Sequence, residues 1–317
     1  MKKIGFWDNN LCFRGTTEAM YDYADYNEKI LNNKSVIFSL KTGDLKNLEK
    51  FQNRFEVILF DNFRQCDDYI TNNNFDFIYV IKYGNMDEIY SNNVPTLVHA
   101  VFHTKQPHGY KYFYVSDYLA KLNNYSIENH SLPHIVKKID VQTPNLREKL
   151  NIPENCTVFG YHGGPDEFNI DCAKQVVINT LHDNENIYFL FMSINKFVDH
   201  PRAIFLESTL NKNNEKLSYI RACDAMLHAR SGGETFGCSL GEFAIENKPI
   251  ITYAHYKEGL EAHLDILKEY AIKYENYEQL YHILNNFSQY KKFAQYDTPY
   301  LEFSPEKIME RFNSLLN

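Results

Sequence analysis

The stretch GGETFGCSLGEF, Gly232 to Phe243, carries two active-site signatures laid over one another. In one, Gly237-Cys238-Ser239-Leu240-Gly241 is a G-x-S-x-G nucleophile elbow with Ser239 as the attacking hydroxyl, and HGGP at His162 to Pro165 is its oxyanion loop. In the other, Glu234 sits on a Gly-rich loop and Glu242 inside the helix that follows. The two demand different backbones. An elbow needs a strand running straight into the turn, so that strain presents the serine at the top of a sheet. Here the apolar run DAMLHA stops at Ala229 and RSGGET intervenes. Leu240, Phe243 and Ala244 recur at helical spacing, which predicts a helix from about Phe236 or Gly237 with Ser239 in its first turns. Asp265 and His282, the candidates for the rest of a triad, fall in stretches of helical pattern, and Pro165 takes the third glycine position of the oxyanion motif. An α/β-hydrolase using Ser239 is the weaker alternative.

The segment DAMLHARSGGETFGCSLGEFAIENKPIITY reads as strand, Gly-rich loop, helix ending before Pro249, and strand. The loop after a parallel strand is where open α/β sheets bind ligands. The same grammar runs along the whole chain. KIGFW, SVIFSL, FEVILF, FDFIYVI, PTLVHAVF and YFYVS alternate with amphipathic stretches, and a second series runs TVFGY, a helix near Glu167 to Leu181, IYFLFM, AIFL, DAMLH and PIITY. Such alternation implies parallel sheets. In the first helix, Ala19, Tyr23, Tyr26 and Ile30 share one face and should cover the sheet.

Between the series lies KKIDVQTPNLREKLNIPENC, either a domain boundary near Val141 or one surface loop with a short helix. Taken as a boundary, it divides the chain into domains 1–140 and 141–317, in keeping with about 150 residues per domain. SPEKIMERFNSLL predicts a closing helix, with Ser304 as N-cap, Pro305 at the first position, and Ile308, Phe312 and Leu315 on one face. That helix is free to pack back on the first domain.

Hydrophobic residues make up 44% of the 317, with 23 Phe and 24 Tyr, enough for ordinary packed cores. Apolar runs such as VILF are far shorter than the ~20 residues of a membrane span, and MKKIGFWDNN turns polar too early for a signal peptide. A cytoplasmic protein is expected. Cys12, Cys66, Cys156, Cys172, Cys223 and Cys238 show no C-x-x-C spacing, so free thiols are expected. A net charge of −8 without a basic block argues against nucleic acid as a partner. An anionic small ligand needs only one or two local cations and a helix N-terminus. No D-x-D clamp, H-E-x-x-H or clustered Cys/His set is present, which predicts metal independence and no cofactor.

With these residues in view, the chain resembles retaining glycosyltransferases of the GT-B fold, in the broad group called glycosyltransferase family 4. Their pattern is a Pro-Ser loop, a Glu, a Phe-Gly pair and a second Glu eight positions after the first; Ser231, Glu234, Phe236, Gly237 and Glu242 match it. Weaker likeness covers most of the chain, including Gly15-Thr16 in place of a frequent double glycine, the strand leading to a His at His99, and the turn at Ser116. The resemblance implies two Rossmann-like domains facing a cleft, the first holding the acceptor and the second a nucleotide sugar, whose hexosyl or pentosyl unit passes to a glycan or other hydroxyl acceptor with retention.

It also implies roles. Glu242 would bind the ribose hydroxyls, where a charged acceptor strengthens the bonds; Glu234 would contact the transferred sugar and stabilise developing positive charge. Backbone N–H groups at Thr235, Phe236 and Gly237, and Gly163 in the loop after the first strand of domain two, would add donor contacts. His99 would touch the donor sugar or relay a proton, or else is a buried, hydrogen-bonded histidine; Gly15 and Thr16 would line the donor and acceptor loop. One departure stands out. The family's Arg and Lys after the first strand of domain two are absent from GYHGGPDEFNID, leaving Arg230, Lys212 and Arg14 as substitutes for neutralising the diphosphate, or as solvated surface charges. A GT-B fold used only to bind a nucleotide or glycan is the non-enzymatic alternative.

Overall fold

A computed structural model describes residues 1–207, 214–256, 260–294 and 297–316. The chain forms two compact units, the first comprising Met1–Ile135 and Phe303–Asn317, the second Val136–Glu302.

In the first unit the order is β1 (Lys3–Trp7), α1 (Gly15–Lys29), β2 (Lys34–Leu40), α2 (Leu48–Gln52), β3 (Glu56–Phe60), α3 (Phe63–Asn72), β4 (Phe77–Lys82), β5 (Thr96–Ala100), β6 (Lys111–Tyr114), α4 (Asp117–Leu122) and α5 (Ile127–His130). The second runs α6 (Leu146–Lys149), β7 (Thr157–His162), α7 (Asp171–Asp183), β8 (Ile187–Met192), β9 (Ala203–Leu206), α8 (Glu215–Ala222), β10 (Ala225–His228), α9 (Cys238–Ile245), β11 (Ile250–Tyr253), α10 (Ala262–Leu267), β12 (Ala271–Tyr274) and α11 (Tyr277–Asn285). The final helix α12 (Pro305–Leu315) belongs to the first unit.

Each unit holds a six-stranded parallel sheet, ordered β3-β2-β1-β4-β5-β6 in the first and β12-β11-β10-β7-β8-β9 in the second. Both are Rossmann-like, doubly wound sheets: the chain winds outward from β1 or β7, then crosses to the other side at β4 or β10. The central strands are buried on both faces, which is why they read as continuous apolar runs rather than alternating ones. In such sheets the loops leaving the carboxyl ends of the strands that flank the crossing, here β1 and β4 or β7 and β10, open a crevice.

Local chemistry accounts for the element ends. Ser304 caps α12 by accepting the Lys307 N–H, Pro305 opens the helix, and Ile308, Met309, Phe312 and Leu315 are buried. Phe312 packs among Phe6, Tyr23 and Tyr79 at ring separations of 6.5, 5.6 and 6.0 Å. Of the face expected on α1, Ala19 and Tyr23 are buried and Tyr26 and Ile30 half-buried, while Met20, Ala24 and Asn27 are buried as well, so the inward face is centred to one side of the one expected. Asn27 can turn inward because Ser35 Oγ accepts its amide N–H at 2.9 Å. The helix expected from Glu167 starts at Asp171 instead, since Asn169 is drawn into bonds with the end of β10. The polar stretch between the sheets is pinned through Arg147 on α6, which donates to Ala222 O and Cys156 O and pairs with Asp224 at 2.8 Å. All six cysteines are free. Among the described residues no helix is long and apolar enough to cross a membrane.

Candidate functional site

In the second unit, β7 and β10 are neighbours at the crossing point, so the loops 163–170 and 229–237 stand side by side at their carboxyl ends. Glycine shapes the second loop. Gly233 has φ +66°, and a Cβ there would run into the Leu260 carbonyl oxygen. With no side chain in the way, the next residue pairs with the chain at 260–262: Glu234 N–H donates to Leu260 O at 2.7 Å, and Ala262 N–H to Glu234 O at 3.1 Å. The Glu234 backbone is therefore held on both sides.

Its side chain is held as well. His228 Nε2 lies 3.2 Å from Oε1 and Arg230 Nη1 3.0 Å from Oε2, leaving the carboxylate only 14% exposed. Burial alone would raise its pKa, but the hydrogen bond from His228 and the charge of Arg230 outweigh that and lower it, so Glu234 is ionised at neutral pH. Behind His228 lies a buried polar chain. Its Nδ1 faces Thr252 Oγ1 at 2.9 Å and Tyr256 Oη at 3.3 Å, and His263 Nε2 is 3.2 Å from each of those two oxygens. Both ring nitrogens of His228 are thus engaged, Nε2 with Glu234 and Nδ1 with the two hydroxyls, which fixes the orientation of the ring.

Arg230 serves more than Glu234. It donates to Gly233 O at 2.8 Å, and its Nη2 lies 3.1 Å from Glu167 Oε1 in the neighbouring loop. Glu167 Oε2 in turn accepts the Gly164 N–H at 2.8 Å. Arg230, expected as a cation for a ligand, is shared here between two carboxylates of its own chain.

Glu242 projects from α9 between Lys216 of α8, which pairs with its Oε1, and His162 at the end of β7, whose Nε2 is 3.0 Å from its Oε2 but off the hydrogen-bonding direction. Burial would raise its pKa; Lys216 and His162 overcome that and hold the carboxyl well below the usual range. Of the backbone donors expected, Thr235 is half-buried, Phe236 is buried with its carbonyl accepting from Tyr300 Oη at 3.1 Å, and Gly237, at φ +89°, is the N-cap of α9. Ser239 is the second residue of that helix, so the serine lies on a helix and not on a strand-to-helix elbow. The last glycine of the serine motif has a packing reason: a Cβ on Gly241 would sit 2.8 Å from the Tyr300 ring.

In the first unit, Gly15 and Thr16 open α1 just past β1, Gly15 exposed and Thr16 half-buried. Arg14 pairs with Asp8 at 2.9 Å, and Thr17 Oγ1 donates to the same carboxylate at 2.8 Å. His99 departs from the expectation of a ligand-facing residue. It is 0% exposed, with Nδ1 2.5 Å from Tyr79 Oη and its ring against Phe113 at 4.9 Å and His134 at 5.4 Å. Burial, then His134, pushes its pKa well below the ordinary value. It is a neutral core histidine because β5 runs on to Ala100 between β4 and β6. His103, beyond the strand end, is exposed. Lys212 lies outside the described residues. Among those residues no group of three or more His, Cys, Asp or Glu side chains could hold a metal ion.

No protein-family model and no curated protein matches the chain. Solved structures do. A glycosyltransferase from Rickettsia africae superposes with TM-score 0.74 at 13% identity over 99% of this chain and 97% of its own. HepE from Anabaena, crystallised with UDP-glucose, gives 0.70 at 14% identity over 99% of each chain. MnaA of S. aureus, crystallised with UDP, gives 0.64 at 11% over 99% and 98%. The fold is GT-B.

Within this GT-B chain, Glu234, Arg230, Thr235, Gly237 and Glu242 gather on one loop and helix of the second domain, beside Gly163 on the adjoining loop. Gly15 and Thr16 lie in the first domain. The residues absent from the sequence-based set are the partners: His228, Glu167, Lys216 and His162. Each lies on a separate strand, loop or helix, and only His162 falls in a sequence motif, HGGP, whose reading as an oxyanion loop does not make it a partner of Glu242.

Proposed function

We propose that this chain is a glycosyltransferase that moves a hexosyl or pentosyl unit from a nucleotide sugar to a hydroxyl of a glycan or glycoconjugate, with retention and without a metal. The observation that carries the reading is Glu234: a charged carboxylate held by its backbone, by His228 and by Arg230, at the crossing point of the second sheet. A fixed negative charge with little solvent around it stabilises positive charge developing at an anomeric carbon, at no cost in reorganisation. Glu242, eight residues on, is the acceptor for ribose hydroxyls, kept ionised by Lys216 and His162. The N-terminus of α9 is suited to phosphate. UDP and UDP-glucose in structural neighbours support a uridine nucleotide as the first donor to try.

Tyr83, exposed after β4, stacks on Phe102 after β5 at 4.4 Å, an aromatic face for a sugar acceptor. The test is the melting temperature of the protein with UDP, GDP, ADP, dTDP, CMP and their sugars, with and without EDTA. Ligand at a hundred times its dissociation constant stabilises by ~2.7 kcal/mol. One base standing out, insensitive to EDTA, is the expected result; a flat panel overturns the reading, and binding without transfer to any acceptor makes the chain a binding protein.

A further inference from the structure

The loop after β7 has the parts of an oxyanion cradle, and they are filled from within. Two glycines, Gly163 and Gly164, leave room that side chains would close: a Cβ on Gly163 would lie 2.9 Å from Glu167 Oε2, and one on Gly164 3.1 Å from Glu167 Cδ. The Gly164 N–H points into that room, and Arg230 reaches it from the loop after β10. A backbone N–H, a planar guanidinium and a glycine-lined hollow are what a phosphate oxygen seeks. Here the Glu167 carboxylate takes the N–H with one oxygen and the guanidinium with the other.

The ion pair is not what holds the two loops together. Asn169 and Ile170 N–H both donate to Ala229 O, at 2.9 and 3.2 Å, and Asn169 Oδ1 accepts the Ser231 N–H at 2.7 Å. These bonds fix the cradle's walls whether or not Glu167 is in place. The Glu167 side chain is 37% exposed, so it can turn out to water without opening the core.

We propose that Glu167 is an internal anion that occupies the cradle for the donor's phosphates, is displaced when the nucleotide binds, and reclaims the cradle as the nucleoside diphosphate leaves. The proposal rests on the glycosyltransferase reading. It makes Glu167 a determinant of affinity for the charged part of the donor and its leaving group, with no effect on the nucleoside. Displacement also frees one side of Arg230 while its contact with Glu234 stays.

The experiment is calorimetric titration of wild type, Glu167→Ala and Glu167→Gln with whichever of UDP, GDP, ADP or dTDP binds wild type, and with the matching nucleoside. Removal of the competing charge tightens the diphosphate by about tenfold in Glu167→Ala, the scale of one hydrogen bond to a charged group, and less in Glu167→Gln. Nucleoside affinity stays unchanged, and product inhibition by the diphosphate strengthens in parallel. Equal or weaker diphosphate binding by a folded Glu167→Ala overturns the proposal and makes Glu167 a support for Arg230. Failure of every diphosphate to bind all three proteins overturns the glycosyltransferase reading itself, and the cradle with it.

Discussion

At the scale of single residues, Glu234 and Glu242 differ in what holds them, and that separates their effects. Glu234→Gln keeps the shape and removes the charge, so turnover should fall by about 100- to 1000-fold, the scale of losing one preorganised contact to a charged transition state, with nucleotide affinity nearly unchanged. His228 acts through Glu234. His228→Ala should lower kcat by about tenfold, the worth of one hydrogen bond to a charged group, and His228→Gln, which can still donate to Oε1, should recover part of it; equal kcat in both variants would exclude a positioning role. Glu242 has a folded pKa below its unfolded value of about 4.3, so its stabilisation is complete above that pH and is lost as pH falls toward the folded pKa. Glu242→Gln should therefore destabilise the protein at neutral pH and flatten the acid limb of its stability curve below about pH 4.3. The two glutamates were legible because they share one strand-loop-helix unit. Their partners were not: Lys216 and His162 arrive from outside that unit, as does Glu167, which pairs with Arg230, and only the folded sheet makes them neighbours, while His228 ends the unit's own strand with no motif to set it apart.

At the scale of elements, α9 shows how one sequence motif suited two backbones. Gly237 and Gly241 belong to the serine motif by spelling, but the first caps a helix in the left-handed region and the second lets the Tyr300 ring lie against that helix. Gly241→Ala should cost about 1–3 kcal/mol in chemical denaturation, as overpacking against a buried ring does. Strand ends were harder to read. Both His99 and His103 lie near the end of an apolar run, and which of them is buried depends on pairing of β5 with β4 and β6, where His99 stands opposite Ile81 and Phe113. Because His134 is buried with its pKa pushed down to about 4, and His99 shifts the same way, both stay neutral in the folded protein. The unfolded chain takes up those protons near pH 6.5, so stability is full above that pH and falls as pH drops toward 4; a denaturation midpoint constant across this range would contradict their neutral burial.

At the scale of the whole molecule, the repetition of strand and helix made two parallel sheets legible without any motif. Each sheet winds outward and crosses back, so the position of a ligand crevice follows from strand order alone. The last helix ties the chain's end to its first unit through Phe312, which lies against Phe6, Tyr23 and Tyr79. Phe312→Ala should destabilise that unit by about 3–5 kcal/mol, as other buried aromatic truncations do, and leave nucleotide binding by the second unit in place. Such long-range contacts carry little signal in a single sequence beyond the apolar stripe of the helix. The measurement that bears most directly on the central claim is release of nucleoside diphosphate from a panel of nucleotide sugars, by wild type and by Glu234→Gln side by side. Wild type should consume one donor class in the presence of an acceptor, and Glu234→Gln should lose at least about a hundredfold of that rate. Equal rates in the two proteins, or no donor consumed by wild type, would contradict it.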